Sequence, residues 1–176
     1  YRFALDGGAF GDETPVATPI TLTGLADGSH TLRVIGKDAA GNVMPESIAA
    51  TATWTVDTVP PTATLTNLPR TETPATVANI TVGGAEVVAY RFALDGGAFG
   101  DETLVDLPIA LRNLTDGTHT IAVIGRDAAG NLQSAASATA FSWTVDRSLA
   151  APPTATPAPG ELAARQQVGF SAPLAE

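Results

Sequence analysis

Three oxygen-bearing side chains occur twice in the same order: Asp38, Asn42 and Asp57, then Asp127, Asn131 and Asp146. Asp and Asn supply hard oxygen ligands, which suit Ca²⁺ with its roughly six to eight oxygens. The first two of each set bracket Asp-Ala-Ala-Gly-Asn, and the third ends Trp-Thr-Val-Asp. If modules stand end to end, Asp57 leaves one module beside Asp127 and Asn131 of the next. Asp146 would likewise approach the Asp38/Asn42 loop of a following module. The expectation is a Ca²⁺ site between modules, in competition with a plain turn whose Asx side chains bond backbone.

The other candidates read as structure. His30 and His119 are equivalent positions of a duplication, whereas a catalytic His needs a partner placed once. Each is expected to bond loop backbone through a ring nitrogen. Asp12-Glu13 and Asp101-Glu102 are adjacent carboxylates. On extended backbone neighbours point to opposite faces, so neither pair is a matched acid and base. They read as a solvated edge that discourages sheet-to-sheet association. Trp54 and Trp143 could stack on sugar, but matched inward positions favour the core. Asn79-Ile80-Thr81 and Asn113-Leu114-Thr115 match the glycosylation triplet and read as chance. No catalytic residue and no cofactor beyond that calcium is expected.

Composition narrows the partners. A net charge of −9, with only nine Lys and Arg in all, argues against a phosphate backbone. Without Cys there is neither a disulfide nor a thiolate metal site. No apolar run reaches the ~18 residues of a membrane helix. Neither a starting Met nor a signal peptide is present, so the residues are expected to belong to something longer.

The elements that position these groups follow from a repeat. Residues 1–57 align without a gap to 90–146, with roughly 36 identities. Tyr1 to Thr14 recurs letter for letter at Tyr90 to Thr103. Val88, Tyr90, Phe92 and Leu94 alternate as a half-buried strand. Asp95-Gly96 then supplies the positive φ of a tight hairpin. Ile109 and Leu111, then His119, Ile121 and Val123, then Phe141, Trp143 and Val145 mark further strands, with Asp116-Gly117 as a turn. Upstream, Thr62 to Leu68 and Val77 to Val82 supply two more, with Ala63, Leu65, Ala78, Ile80 and Val82 inward. Pro60-Pro61 stiffens a junction and donates to no ladder. Residues 58–146 thus read as a complete sandwich of about seven strands. In the tail, Pro152-Pro153-Thr154-Ala155-Thr156 repeats Pro60 to Thr64, and Gln167 to Ser171 alternates like Asn79 to Val82.

The Leu-Asp-Gly-Gly hairpin, the Asp-Gly-x-His-Thr run, the Asp-x-Ala-Gly-Asn turn and the closing Trp-Thr-Val-Asp resemble bacterial immunoglobulin-like modules, which stand in tandem in large secreted or surface proteins. The Leu-rich approach to Asp-Gly-x-His resembles fibronectin type III modules. His30 and His119 stand where those carry a corner tyrosine. The resemblance implies spacers, stalks, adhesin repeats and accessory domains of extracellular hydrolases.

The expected fold is all-β: tandem immunoglobulin-like sandwiches, one complete and one split. Residues 1–57 are the last two thirds of a module, 58–146 a whole module, and 147–176 the first strands of another. The expected function is structural and non-catalytic, a unit of an extracellular or cell-surface bacterial filament. Its partners would be copies of itself, end to end, with the tail completing the next unit's first module. That joining is covalent in a giant repeat chain or by strand donation between subunits. The alternative is an adhesion or carbohydrate-binding accessory module. No nucleic acid, membrane span or small-molecule substrate is expected.

Overall fold

The computed structural model describes residues 1–148 and the strands Thr154–Pro157 and Val168–Ser171. The described residues form strands and two single-turn 3-10 helices, so the fold is all-β. Residues 1–57 give β1 (Arg2–Leu5), β2 (Gly28–Ile35) and β3 (Ala50–Val56), antiparallel in the order β1-β2-β3. Asp6 and Gly7 leave β1 with φ of 51° and 76°, and Asp95 and Gly96 repeat this with 51° and 75°. Both central residues need positive φ in such a turn, which Asp and Gly tolerate.

Residues 58–146 give eight strands where about seven are expected, and alternation marks six of them. These are β4 (Thr64–Thr66), β5 (Glu72–Thr73), β6 (Ala78–Gly83), β7 (Ala89–Leu94), β8 (Thr103–Leu104), β9 (Ile109–Leu111), β10 (Gly117–Arg126) and β11 (Thr139–Val145). They form two sheets, β5-β11-β10-β7-β8 and β4-β6-β9. The extra pieces are two-residue strands, too short for a periodic signal to reveal. β5 pairs parallel to β11, and β8 antiparallel to β7. Ile80, Val82, Ile109 and Leu111 from the smaller sheet pack with Tyr90, Ile121, Val123, Trp143 and Val145 from the larger. This is a two-sheet sandwich of immunoglobulin type. Val88, expected inward, is exposed and precedes β7, while Ala89 and Ala93 are buried on the outer side of that strand. β12 (Thr154–Pro157) and β13 (Val168–Ser171) pair antiparallel, as β4 and β6 do.

The two copies of the repeat diverge in burial. Tyr90, Trp143 and Val145 are no more than 2% exposed, whereas their equivalents Tyr1, Trp54 and Val56 are only half-buried. The cause is that no strand among the described residues lies beside the segment that would complete a second layer. The ladder of β9 runs to β6 through Ile80↔Ile109 and Ala78↔Leu111. The equivalent segment Ile20–Leu22 has no such neighbour among the described residues, and it is not a strand. A backbone without a ladder partner stays irregular. Residues 1–57 do cover the opposite side of their sheet. Phe10 folds back against Ala4 and Ile35, with the Arg33 guanidinium 5.3 Å from its ring centroid.

The same truncation should therefore act differently in the two copies. Ile109→Ala is expected to destabilise residues 58–146 by about 2–5 kcal/mol, the range for emptying a packed core position. Ile20→Ala, at the half-buried equivalent, is expected to cost about 1 kcal/mol or less. Urea unfolding followed in Trp54→Phe and Trp143→Phe backgrounds reads the two modules separately; equal losses would mean that both cores are equally closed.

Candidate functional site

Asp57, Asp127 and Asn131 lie where residues 1–57 meet 58–146, and their hydrogen bonds make a splint. At the end of β3, Asp57 Oδ1 accepts the Val59 N–H at 3.0 Å. Thr58 donates its N–H and its hydroxyl to Asp27 Oδ1 at 3.0 and 2.9 Å. The linker is thus tied back to the Asp27-Gly28 turn of the module it leaves. From the other side, Asn131 Nδ2 donates to the Asp57 carbonyl at 3.0 Å and to Asp127 Oδ2 at 2.9 Å. Asp127, 1% exposed, also accepts the Gly130 and Asn131 N–H groups on Oδ1 at 2.7 and 2.8 Å. Expecting Asp57 beside Asp127 and Asn131 puts the right segments together, but the meeting atom of Asp57 is its carbonyl oxygen.

The remaining three residues repeat half of this arrangement. Asp38 accepts the Asn42 N–H and side-chain amide, both at 2.8 Å. Asp146 accepts the Ser148 N–H at 2.8 Å, while Arg147 is paired to Asp116 at 2.7 Å. These bonds set the acidities. Burial would raise Asp127, but the amide and N–H bonds from Asn131 and the N–H of Gly130 hold it below the usual range. Asn42 lowers Asp38 in the same way, and Ser148 lowers Asp146. Among the described residues no group of three or more acidic or histidine side chains is placed to hold a metal ion. A Ca²⁺ ion between modules would have to displace the Asn131 amide from Asp127.

Further along the linker, a buried glutamine grips the chain. Gln133 Oε1 accepts the Ala63 and Gly125 N–H groups at 2.9 and 3.1 Å, and its amide donates to the Ser137 carbonyl at 2.6 Å. The Thr139 hydroxyl donates to the Ala63 carbonyl at 2.6 Å. Both main-chain polar groups of Ala63, its N–H and its carbonyl, are therefore held by side chains. The equivalents of Gln133 and Thr139 in residues 1–57 are Met44 and Ala50, which can make neither bond. Neither residue stands out by periodicity. The visible signal is that the two repeats differ there.

Each histidine uses both ring nitrogens. His119 Nε2 lies 2.9 Å from the Thr115 carbonyl and Nδ1 lies 2.8 Å from Asp95 Oδ2. A carbonyl only accepts, and an ionised carboxylate only accepts, so both contacts are satisfied together only when the ring is protonated on both nitrogens. Asp95 Oδ1 meanwhile accepts the Thr120 N–H at 2.8 Å. His30 does the same with Ala26 and Asp6. The Thr115 bond, then the Asp95 bond, raises His119 above its ordinary value. Burial would raise Asp95, but the Thr120 N–H and the His119 ring outweigh it and hold it low. The ring thus ties the start of β10 back to the loop before it, the task the fibronectin-type corner tyrosine performs. Asp95, read from sequence only as a turn residue, is also the histidine's partner.

The adjacent acids separate as extended backbone requires. Glu13 pairs with Lys37 at 2.9 Å and Glu102 with Arg126 at 2.7 Å, while Asp12 and Asp101 face solvent. Trp143 is core; Trp54 is half-buried on the uncovered face.

No family model matches the chain, and no curated protein does. Among solved structures it is similar to the fibronectin(III)-like modules of Clostridium thermocellum CbhA. The match is 18% identical, covers 82% of this chain and 76% of that one, and has a TM-score of 0.45. A likeness of that size leaves the fold to be read from the strand pairing itself.

Two measurements bear on this geometry. The doubly donating histidines contribute fully below their ordinary value of 6.5, and that contribution is lost as pH rises through their raised folded values. Asp95 and Asp6 work in the opposite sense: theirs is present above 3.8 and lost as pH falls through their lowered folded values. The melting temperature should fall as pH rises above the ordinary histidine value of 6.5 and through the raised folded values, and His30→Gln with His119→Gln should flatten that fall. A parent protein with no alkaline loss would mean neutral rings. For the inter-module cation, Ca²⁺ titration is expected to give no heat, because the carboxylate oxygens already hold donors. A saturable heat, together with a melting point lowered by chelator, would establish a calcium cage.

Proposed function

We propose that this chain is a non-catalytic structural unit of an extended extracellular bacterial fibre, made of immunoglobulin-like modules end to end. In that fibre a strand pair of the β12–β13 kind covers the open face of the β1-β2-β3 sheet in the neighbouring unit, as a covalent repeat or by donation between subunits. One observation carries the reading: Tyr1, Trp54 and Val56 lie half-buried on a sheet whose twin buries the same residues under β4, β6 and β9. An apolar sheet face of that kind gains from burial at about 25 cal/mol per Å². The tail repeats the Pro-Pro-Thr-Ala-Thr that opens the covering layer. The hydrogen-bonded linker supports a stiff rod over a flexible string.

One observation favours a second reading, an accessory module that binds carbohydrate. Tyr1 and Phe3 lie 6.4 Å apart between ring centroids, and both are half-exposed with Trp54 on the same sheet. Aromatic faces of that kind stack on sugar rings.

Removing residues 147–176 separates the readings. The truncated protein is expected to lose end-to-end assembly in light scattering and negative-stain microscopy, and its Trp54 should become more quenchable by acrylamide. Met44→Gln with Ala50→Thr, which restores the side-chain grip of Gln133 and Thr139, is expected to lengthen the assemblies of the full chain. Filaments formed equally well without the tail would defeat this mode of joining, and saturable glycan binding by the truncated protein would favour the accessory module.

A further inference from the structure

We propose that the Asp38-to-Asn42 loop is a socket for the Asp146 carbonyl of a second copy of this chain. The inference rests on the end-to-end reading and adds to it the contact that would fix the angle of the joint. The pattern is already made once inside the chain. Asn131 spends one amide hydrogen on Asp127 Oδ2 and the other on the Asp57 carbonyl. An amide has two hydrogens to donate. Asn42 spends one on Asp38 Oδ2 at 2.8 Å and, among the described residues, its amide reaches no carbonyl. The backbone bond from Asp38 N–H to the Asn42 carbonyl, 3.0 Å, matches that from Asp127 to Asn131, 3.1 Å. The loop thus has the geometry of its occupied twin.

The plug is formed as well. Asp146 ends the same Trp-Thr-Val-Asp as Asp57. Its carboxylate accepts the N–H two residues on, 2.8 Å against 3.0 Å at Asp57. The next residue is tied to the Asp-Gly turn behind it in both copies, Thr58 to Asp27 and Arg147 to Asp116. That double tie fixes the backbone that carries the carbonyl, and at Asp146 this oxygen meets no donor among the described residues. Beside the socket lies an open cavity of about 470 Å³, lined by Tyr1, Glu13, Thr14, Lys37, Asp38 and Gly41 among others, which leaves room for an incoming linker. The linker is long enough: Pro152-Pro153 follows Asp146 three residues later than Pro60-Pro61 follows Asp57. Plug and socket sit on different surfaces, so the contact is head-to-tail and propagates without closing.

The bond is small in energy and preformed on both sides, so its role is alignment; the apolar face supplies the driving force. Losing one such hydrogen bond should weaken association about five-fold. The experiment is sedimentation velocity on the full chain over a range of concentrations, comparing the parent with Asn42→Ala, Asn42→Asp and Thr81→Ala, the last an exposed position on β6 outside the joint. Both Asn42 variants are expected to associate about five-fold more weakly while melting as the parent does. Thr81→Ala is expected to keep the parent's association constant. Unchanged association in both Asn42 variants would overturn the socket and leave the end-to-end reading standing. A parent that stays monomeric at every concentration would remove both. Association weakened alike in the Asn42 and Thr81 variants would also overturn the socket, since the loss would not depend on the Asn42 amide.

Discussion

A sheet with one apolar face needs a second layer, and the rest of this structure depends on that requirement. Residues 58–146 meet it internally, with β4, β6 and β9 laid over β7, β10 and β11. Residues 1–57 carry almost the same sheet with no second layer among the described residues. A hydrophobic face does not stay open in water without consequence. Chain connectivity, linker stiffness and the half-burial of Trp54 all take their meaning from how that face is covered.

Polar side chains then decide how tightly a covering strand is held. At the complete module Gln133 and Thr139 clamp the N–H and the carbonyl of Ala63 in a buried setting, where a lost hydrogen bond is expensive. Residues 1–57 put Met44 and Ala50 at those places, so a strand laid there depends on ladder bonds and apolar contact alone. One module is closed by its own strands, and the equivalent sheet of residues 1–57 keeps Tyr1, Trp54 and Val56 half-buried. Asn131 and Asp127 meanwhile turn the junction from a hinge into a hydrogen-bonded joint, and Asp27 with Thr58 holds the other end. The charged groups follow the same logic: Glu13 and Glu102 spend their charge on cross-strand cations, and the rings of His30 and His119 hold the start of each long strand to the loop behind it.

Much of this was legible in the residues because repetition and alternation are local signals. The period-two pattern of His119, Ile121 and Val123 reports a half-buried strand wherever it occurs, and Asp95-Gly96 reports positive φ because few other pairs tolerate it. The two-residue strands β5 and β8 were not legible, since two residues carry no period. Gln133 was not legible either, because burying a glutamine depends on which backbone N–H groups the fold brings to it. Of the six candidate ligands, Asp57, Asp127 and Asn131 come together at the linker, while Asp38, Asn42 and Asp146 bond only within their own loops. Their working atoms were not foreseen: hydrogen bonding gives the Asp57 contact to a main-chain oxygen.

The sequence by itself determined the all-β class, the positive-φ turns and most of the inward residues of 58–146, because each is written in residue type and spacing. Tertiary structure alone decided that identical residues take different states. Tyr90 and Tyr1, or Trp143 and Trp54, have the same neighbours along the chain and the same register across it. One of each pair is sealed and the other is not, because burial is set by the layer that arrives from elsewhere. The Asp-Ala-Ala-Gly-Asn loops divide in the same way. The letters make the turn, and only the approach of another module's carbonyl makes one of them a joint.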